Sequence, residues 1–243
     1  MTDSESSAVA TNPDQPRPMP FAIMRNVHEA LRASIQLQQK ALDAENEIAF
    51  RDEWGTFQRA LSLHMAMEDE AMFGLLDKVG TGAITMANLP EEHEEDIRLS
   101  AAVESALGMS DLTALRNAWT TWKDAHLHHL AHEEQVMMPL TMKTATTAHG
   151  RALVVHDVLV VPFESKPDFD WFIGWAVHML SHYGSNEQPA NVATRVFAWG
   201  LQHACTPDQW RRLRPIVQQN CAPEIWAELA EKFGLNGEGA IVK

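Results

Sequence analysis

The chain has 243 residues, of which 45% are hydrophobic, and a formal net charge of −14. This length and composition support one generous folded domain with an extension, and the negative charge argues against nucleic acid or an anionic membrane as a partner. The two cysteines form no disulfide framework and no CxxC metal motif. No apolar run reaches the length of a transmembrane helix. We therefore expect a cytoplasmic globular protein.

Residues 1–19 are acidic and rich in serine and proline, and they lack the basic and apolar regions of a targeting peptide. We expect them to form a disordered leader. Amphipathic periodicity then predicts four helices within residues 20–142. The first two helices cover about 20–43 and 47–78. The third begins near Asn88–Pro90 and ends at Gly108. The fourth is capped by Ser110–Asp111 and ends near Leu140.

The connections between these four helices are short, which favours an antiparallel up-down-up-down bundle of the all-α class. Residues 143–243 read as a C-terminal helical extension. Its predicted helices cover 168–183 and 189–204, a third begins with the capping box Thr206–Gln209, and a fourth runs from Pro223 to Gly234. The apolar stretch ALVVHDVLVVP (152–162) is consistent with either an extended segment or a short helix.

The inward face of each predicted helix follows steps of three and four residues. The first face is Met24, His28, Leu31 and Ile35, and the second is Phe57, Leu61, His64, Glu68, Met72 and Leu75. The third is His93, Ile97, Ser100 or Ala101, Glu104 and Leu107. The fourth is Leu115, Trp119, Trp122, His126, His129, Glu133, Val136 or Met137, and Leu140.

Two of these faces carry the same polar motif, HxxxE, in the middle of an apolar stripe: His64 with Glu68 and His129 with Glu133. Burying an unpaired imidazole and carboxylate is costly, and a bound metal ion removes that cost. His28 and His93 lie early in their helices and the two motifs lie late in theirs. In an antiparallel bundle all six side chains therefore fall at one level.

Four histidines and two glutamates suit two iron ions bridged by the two carboxylates. Calcium and magnesium prefer oxygen ligands alone, and a cysteine-free structural zinc site needs fewer ligands. No histidine follows a glutamate by three residues, so the Glu-x-x-His pairs of ferritin-type bundles are absent.

The pattern His28, His64-x-x-x-Glu68, His93, His129-x-x-x-Glu133 resembles the hemerythrin-like (HHE cation-binding) family over roughly residues 20–142. The flanking segments VHEALR, HMAMEDEAMF and HLAHEEQVMMPL are similar to that family too. The resemblance implies a four-helix bundle with a non-haem di-iron centre that binds oxygen or related small molecules. It also implies four terminal histidine ligands and two bridging glutamates.

The chain departs from the oxygen-carrying hemerythrins at Ile97, where those proteins have a second histidine one turn after the third-helix ligand. His126, one turn before His129, is a candidate replacement ligand. Alternatively, it donates its N–H to a bridging carboxylate, or simply lines the bundle.

We expect a di-iron protein that binds dioxygen, peroxide or nitric oxide in sensing, binding or redox protection. A di-iron enzyme is the alternative, either peroxidase- or catalase-like or an oxygenase, with the extension shaping a substrate pocket. An iron store is a third reading, which a closed six-ligand site without a protein cage disfavours. The sequence identifies no protein partner.

Overall fold

The computed structural model describes residues 22–109, 111–184 and 190–241, and within these ranges the chain is helical, with no strand. The predicted all-α class is confirmed. The first helices are α1 Ala22–Asp43, α2 Glu47–Met67, α3 Phe73–Gly80, α4 Ala83–Met86, α5 Leu89–Met109 and α6 Leu112–Thr144. The later ones are α7 Ala148–Val155, α8 Val161–Phe163, α9 Phe169–His182, α10 Ala190–Ala204, α11 Pro207–Asn220 and α12 Pro223–Lys232.

Two five-residue π-helical turns interrupt this series, at Glu68–Met72 between α2 and α3 and at His156–Val160 between α7 and α8. We call them the first and the second π turn. A π turn adds one residue to a helical turn and occurs often at functional sites. The extra residue also rotates the buried face of the chain that follows it.

Several helices begin where the sequence provides a capping side chain. The Asp111 carboxylate accepts hydrogen bonds of 3.0 Å from the backbone N–H groups of Thr113 and Ala114 at the start of α6. Thr206 and Gln209 form the predicted capping box of α11. These side chains satisfy N–H groups that have no partner within the helix. The predicted cap residue Ser110 and the predicted leader both lie outside the described residues.

Helix α1 packs against α2 and α6, and α5 packs against α6. Helices α9 and α10 of the extension also contact α1. These contacts bring the four predicted helices together, while the up-down-up-down order and the division at residue 142 stay predictions. No described helix is both long and apolar enough to span a bilayer.

The core is rich in large aromatic side chains. Trp119 and Trp122 of α6 are fully buried, and the Trp122 ring meets Trp54 and Phe57 edge to face at centroid distances of 4.7 and 5.1 Å. A second group from the extension is equally buried. It comprises Phe163, Phe169, Phe172, Phe197 and Trp210.

The structure decides one point that the sequence left open and differs from the sequence prediction in two details. The undecided stretch 152–162 is helical and contains the second π turn. Helix α6 continues to Thr144 and carries Pro139 within it. After the first π turn, Leu76 is fully buried where Leu75 was predicted, because the additional residue shifts the face by one position.

The predicted face of α5 is also wrong in part. Ile97 is 62% exposed and Glu104 is exposed, whereas Asp96 and Val103 are buried. From His93 the buried face advances by three residues to Asp96, not by four to Ile97. Asp96 tolerates burial because it accepts hydrogen bonds from His126 and Trp122.

Candidate metal centre

The six predicted side chains meet in one buried cluster. The Glu68 carboxylate lies 3.8 Å from His28 Nε2, 3.4 Å from His64 Nε2 and 3.5 Å from His93 Nε2. The Glu133 carboxylate lies 3.5 Å from His28 Nε2, 3.6 Å from His93 Nε2 and 3.5 Å from His129 Nε2. Atoms that share an ion at about 2.0–2.2 Å lie roughly 3–4 Å apart. The cluster therefore has the spacing of ligands around a cation.

Two groups of candidate ligand atoms are compact enough to hold one ion each, and they share a residue. The first is His28, His64, Glu68 and Glu133, and the second is His93, His129 and Glu133. Within each group the ligand atoms lie within 4.8 Å of one another. Each glutamate also approaches histidines of both groups. This is the arrangement expected of carboxylates that lie between two ions.

The cluster has a shortage of hydrogen-bond partners that a cation would relieve. Buried atoms without a partner include the Nε2 atoms of His28, His64 and His93 and both carboxylate oxygens of Glu68 and Glu133. Buried polar atoms in proteins are normally satisfied. Imidazole nitrogens and carboxylate oxygens are ligands for first-row transition metals. The residues present therefore fit a bound metal.

Three of the histidines face acids through their other ring nitrogen. His28 Nδ1 lies 3.0 Å from Glu134, His93 Nδ1 lies 2.9 Å from Asp69, and His129 Nδ1 lies 2.8 Å from Glu92. Such a contact fixes the ring so that Nε2 faces the cluster, as is typical of metal-binding histidines.

The sequence interpretation missed these three acids, although a signal was present. Asp69 and Glu134 each directly follow a candidate glutamate ligand, and Glu92 directly precedes His93. An acid that is adjacent to a ligand in the sequence can contact the Nδ1 atom of a histidine on a neighbouring helix. Glu92 is partly buried and also contacts His132 Nδ1 at 2.7 Å.

The charge of the metal-free cluster is set by competition between burial and ion pairing. Burial lowers the pKa of His28, but the hydrogen bonds and charges of Glu134, Glu68 and Glu133 outweigh it and raise this pKa to about 9. The same balance, with Glu133 and Glu68 as partners, raises the pKa of His93 to about 11. In the metal-free protein two of the imidazoles thus carry protons in place of a cation.

The other cluster residues shift in the opposite direction. Burial lowers the pKa of His64 to about 3, and the neighbouring histidines add to this effect although Glu68 opposes it. Burial raises the pKa of Glu68, but the surrounding imidazoles of His64, His28 and His93 hold it well below its usual range. His64 is therefore neutral and Glu68 is ionised, which are the protonation states that metal binding requires.

The backbone changes its winding at the cluster. Glu68 is the first residue of the first π turn, and His64 lies in the last turn of α2. A π turn has more residues per turn than a regular α-helix, so it changes the register of the residues that follow Glu68. Glu68 and Met72, the first and last residues of this turn, are both buried.

His126 lies outside the two compact groups but is buried, with 1% of its surface exposed. Its Nδ1 forms a short hydrogen bond to Asp96, and its Nε2 has no partner. The expectation that its N–H is donated to a bridging carboxylate is not met, because that contact goes to Asp96. Burial raises the pKa of Asp96, but the His126 charge and the hydrogen bonds from His126 and Trp122 hold it below its usual range.

Two openings approach the cluster from different sides. One is an apolar cavity of about 30 Å³ that borders His64 and Glu68. The other has a volume of about 150 Å³, lies between α5 and α6, and borders His126 and His129 together with Glu92, Glu95 and Asp96. The first is lined mainly by apolar side chains and the second mainly by ionisable ones.

The fold and the site together define an all-helical protein with a buried histidine and glutamate cluster suited to a metal ion. The family model of the hemerythrin HHE cation-binding domain matches residues 19–141, half of the chain. The chain belongs to this family. No curated protein and no solved structure gave a match.

Proposed function

We propose that the protein is a non-haem di-iron protein that binds dioxygen, peroxide or nitric oxide. The observation that carries this proposal is the presence of two compact ligand groups with Glu133 in common. The four histidines His28, His64, His93 and His129 would be terminal ligands. The two glutamates Glu68 and Glu133 would bridge the ions.

The proposal includes the architecture that the sequence predicts. Residues 20–142 form an antiparallel four-helix bundle around the ions, and residues 143–243 form the helical extension. The protein acts in the cytoplasm. The negative charge of −14 supports a function without nucleic acid or membrane binding.

When bound, the two irons supply an exchangeable position for a small molecule and one-electron redox chemistry. The contribution of the chain is to hold and orient. The acids Asp69, Glu92 and Glu134 fix three of the imidazole rings, and the buried glutamates balance the cationic charge. Because Ile97 is exposed, the third helix provides His93 alone, which supports an iron with a position left open for the ligand.

A di-iron enzyme is the second candidate, and the Asp96–His126 pair favours it. The pair borders the opening between α5 and α6, and the Nε2 atom of His126 has no hydrogen-bond partner. A histidine that is oriented by a carboxylate can transfer protons to a reacting molecule. Sustained consumption of peroxide or of reducing equivalents would distinguish this enzyme from a binding protein, which shows reversible spectral changes without turnover.

The test of the proposed function is a metal count with matched variants. The protein is purified from iron-supplemented cells, and metals per chain are measured together with absorbance under nitrogen, after oxygen and after peroxide. We expect two irons per chain in the wild type, and the loss of both in His64→Ala and Glu133→Gln. His128→Ala and Glu104→Gln are the controls, since both side chains are exposed. Unchanged metal content in His64→Ala and Glu133→Gln would remove these residues from the site.

A further inference from the structure

We propose that the second π turn forms the outer wall of an apolar chamber through which a small uncharged molecule, dioxygen or nitric oxide, reaches the metal centre. This inference rests on the proposed di-iron function. It adds the route by which the ligand reaches the metal centre and the type of molecule that this route admits. The wall belongs to the extension, outside residues 19–141 that match the family model. It gives the extension a role at the site.

The lining of the cavity determines which molecules it admits. Apart from His64 and Glu68, whose imidazole and carboxylate face the cluster, all of its lining side chains are apolar. They are Met24, Val27, Met67, Met72, Val155, Val158 and Leu159. A water molecule needs two to four polar partners to be held in a cavity, and in this lining only His64 and Glu68 provide polar atoms, which a bound cation would occupy. An uncharged diatomic molecule has no such requirement.

The size of the cavity agrees with this selection. Its volume of about 30 Å³ exceeds the roughly 10–15 Å³ that a single small molecule the size of water requires. Larger organic molecules do not fit without displacing side chains. The chamber therefore favours a molecule of two or three atoms.

The outer wall is thinnest at the second π turn. Met24, Val27, Met67 and Met72 are buried, whereas Val158 and Leu159 are only half-buried. These two side chains separate the chamber from solvent. The two π turns contact each other directly, so one supplies Glu68 and Met72 from the inside and the other supplies the cover.

The cover is fixed at both ends. His156 Nδ1 donates a hydrogen bond of 2.8 Å to the carbonyl oxygen of Ala204 in α10. Beyond the turn, Lys166 Nζ binds the carboxylate of Glu70 in the first π turn at 2.9 and 3.1 Å. His156 thus anchors the start of the turn, and passage into the chamber would require rotation of the Val158 and Leu159 side chains.

The first experiment measures the association of nitric oxide with the reduced, iron-loaded protein by stopped-flow absorbance. In Val158→Phe the larger ring fills the chamber, and we expect association to be slowed at least about fivefold, as a modest overpacking barrier implies. Leu159→Ala thins the wall and should accelerate association. The matched control is Val161→Phe, which makes the same substitution at a residue that is 43% exposed and does not line the chamber.

Metal content and melting temperature are measured for each variant. A slower reaction in Val158→Phe at unchanged iron content, with Val161→Phe like the wild type, supports the chamber. Wild-type association rates in both Val158→Phe and Leu159→Ala overturn it. Absence of iron from the wild-type protein instead contradicts the proposed function, and the second experiment then tests the chamber separately.

The second experiment uses dioxygen as a paramagnetic probe and requires no metal. Protein prepared without paramagnetic metal and labelled at the methionine methyl groups is examined by NMR under oxygen pressure. We expect stronger relaxation at Met24, Met67 and Met72 than at Met137, which is fully buried but does not line the chamber. Val158→Phe should remove that difference. Equal relaxation at all four methyl groups of the wild type would show that oxygen does not collect in the chamber.

Discussion

Removal of the metal should destabilise the protein, and the substitution Glu133→Gln should make it insensitive to that removal. Glu133 is fully buried, and its two oxygens face histidines of both ligand groups without a hydrogen bond. Glutamine keeps the size of the side chain but removes its charge and its capacity to bridge. The variant therefore isolates the role of the carboxylate as a ligand from its role in packing.

The size of the expected destabilisation follows from the thermodynamic linkage between metal binding and folding. A ligand present at 100 times its dissociation constant stabilises the folded state by about 2.7 kcal/mol. For a chain of this size, 1 kcal/mol shifts the melting temperature by about 2–4 °C. We therefore expect a chelator to lower the melting temperature of the wild type by roughly 5–11 °C.

The unpaired atoms of the cluster also predict that removal of the metal lowers the stability of the protein. Three imidazole nitrogens and four carboxylate oxygens are buried without partners. If each cost only about 1 kcal/mol, their sum would approach the total stability of a typical domain. Protonation of His28 and His93 relieves part of this cost in the metal-free state, but it leaves His64 and several oxygens unpaired.

The assay is thermal unfolding followed by circular dichroism, once at a fixed free metal concentration and once with excess chelator. Glu133→Gln should melt at the same temperature in both conditions, whereas Glu104→Gln, at an exposed position, should respond as the wild type does. A wild-type melting temperature that chelation does not change would refute the reasoning, because a cation that fills the cluster cannot be without effect on stability.

Further predictions concern protons, a buried acid and a helix cap. Metal uptake at pH 7 should release about two protons, because the raised pKa values of His28 and His93 leave both rings protonated in the metal-free protein. Affinity should therefore rise steeply with pH up to about 9, where His28 loses its proton, and less steeply up to about 11, where His93 loses its own. Calorimetry in buffers of different ionisation enthalpy counts these protons, and a count of zero contradicts the assignment. Asp96→Asn should lower stability by about 1–3 kcal/mol, since an amide cannot accept both the His126 and Trp122 hydrogen bonds as a carboxylate does; an unchanged urea midpoint would mean that this pair is not formed. Asp111→Ala removes the α6 cap and should cost about 1 kcal/mol with no loss of metal, whereas a loss of metal would show that the start of α6 helps to hold the site.

The six candidate ligands could be found from the sequence because they are polar residues at helix positions whose neighbours on the same face are apolar. His64 and Glu68, like His129 and Glu133, occupy positions that an apolar stripe would otherwise fill. A polar pair that repeats within such stripes has few explanations other than a shared ligand. The structure places these residues together, as that conflict predicts.

The partners of the ligands could not be found by the same reasoning. Asp69, Glu92 and Glu134 lie beside ligands in the sequence, but each supports a histidine on another helix. Their role depends on the rotation and height of that second helix, which periodicity within one helix does not encode. Solvated acids and supporting acids therefore look the same in the sequence.

The buried face of α5 shows how small the decisive difference is. Steps of three and four residues from His93 are equally allowed, and they lead to Asp96 and Ile97 respectively. Hydrophobicity favoured Ile97, but the structure buries Asp96 because Trp122 and His126 on α6 both present donors to it. A tertiary hydrogen-bond network thus overrode the local preference, and no property of α5 alone indicates it.

The two ligand groups have different surroundings, and this bears on where a small molecule would bind. His64 borders the apolar chamber, whereas His129 borders the opening between α5 and α6 with Asp96 and His126. An ion in the first group is covered by the extension and is approached through apolar side chains. An ion in the second group lies beside an opening that acids and a histidine border. We therefore expect the two metal positions to differ in ligand exchange, with uncharged molecules entering on the chamber side and protons moving on the other.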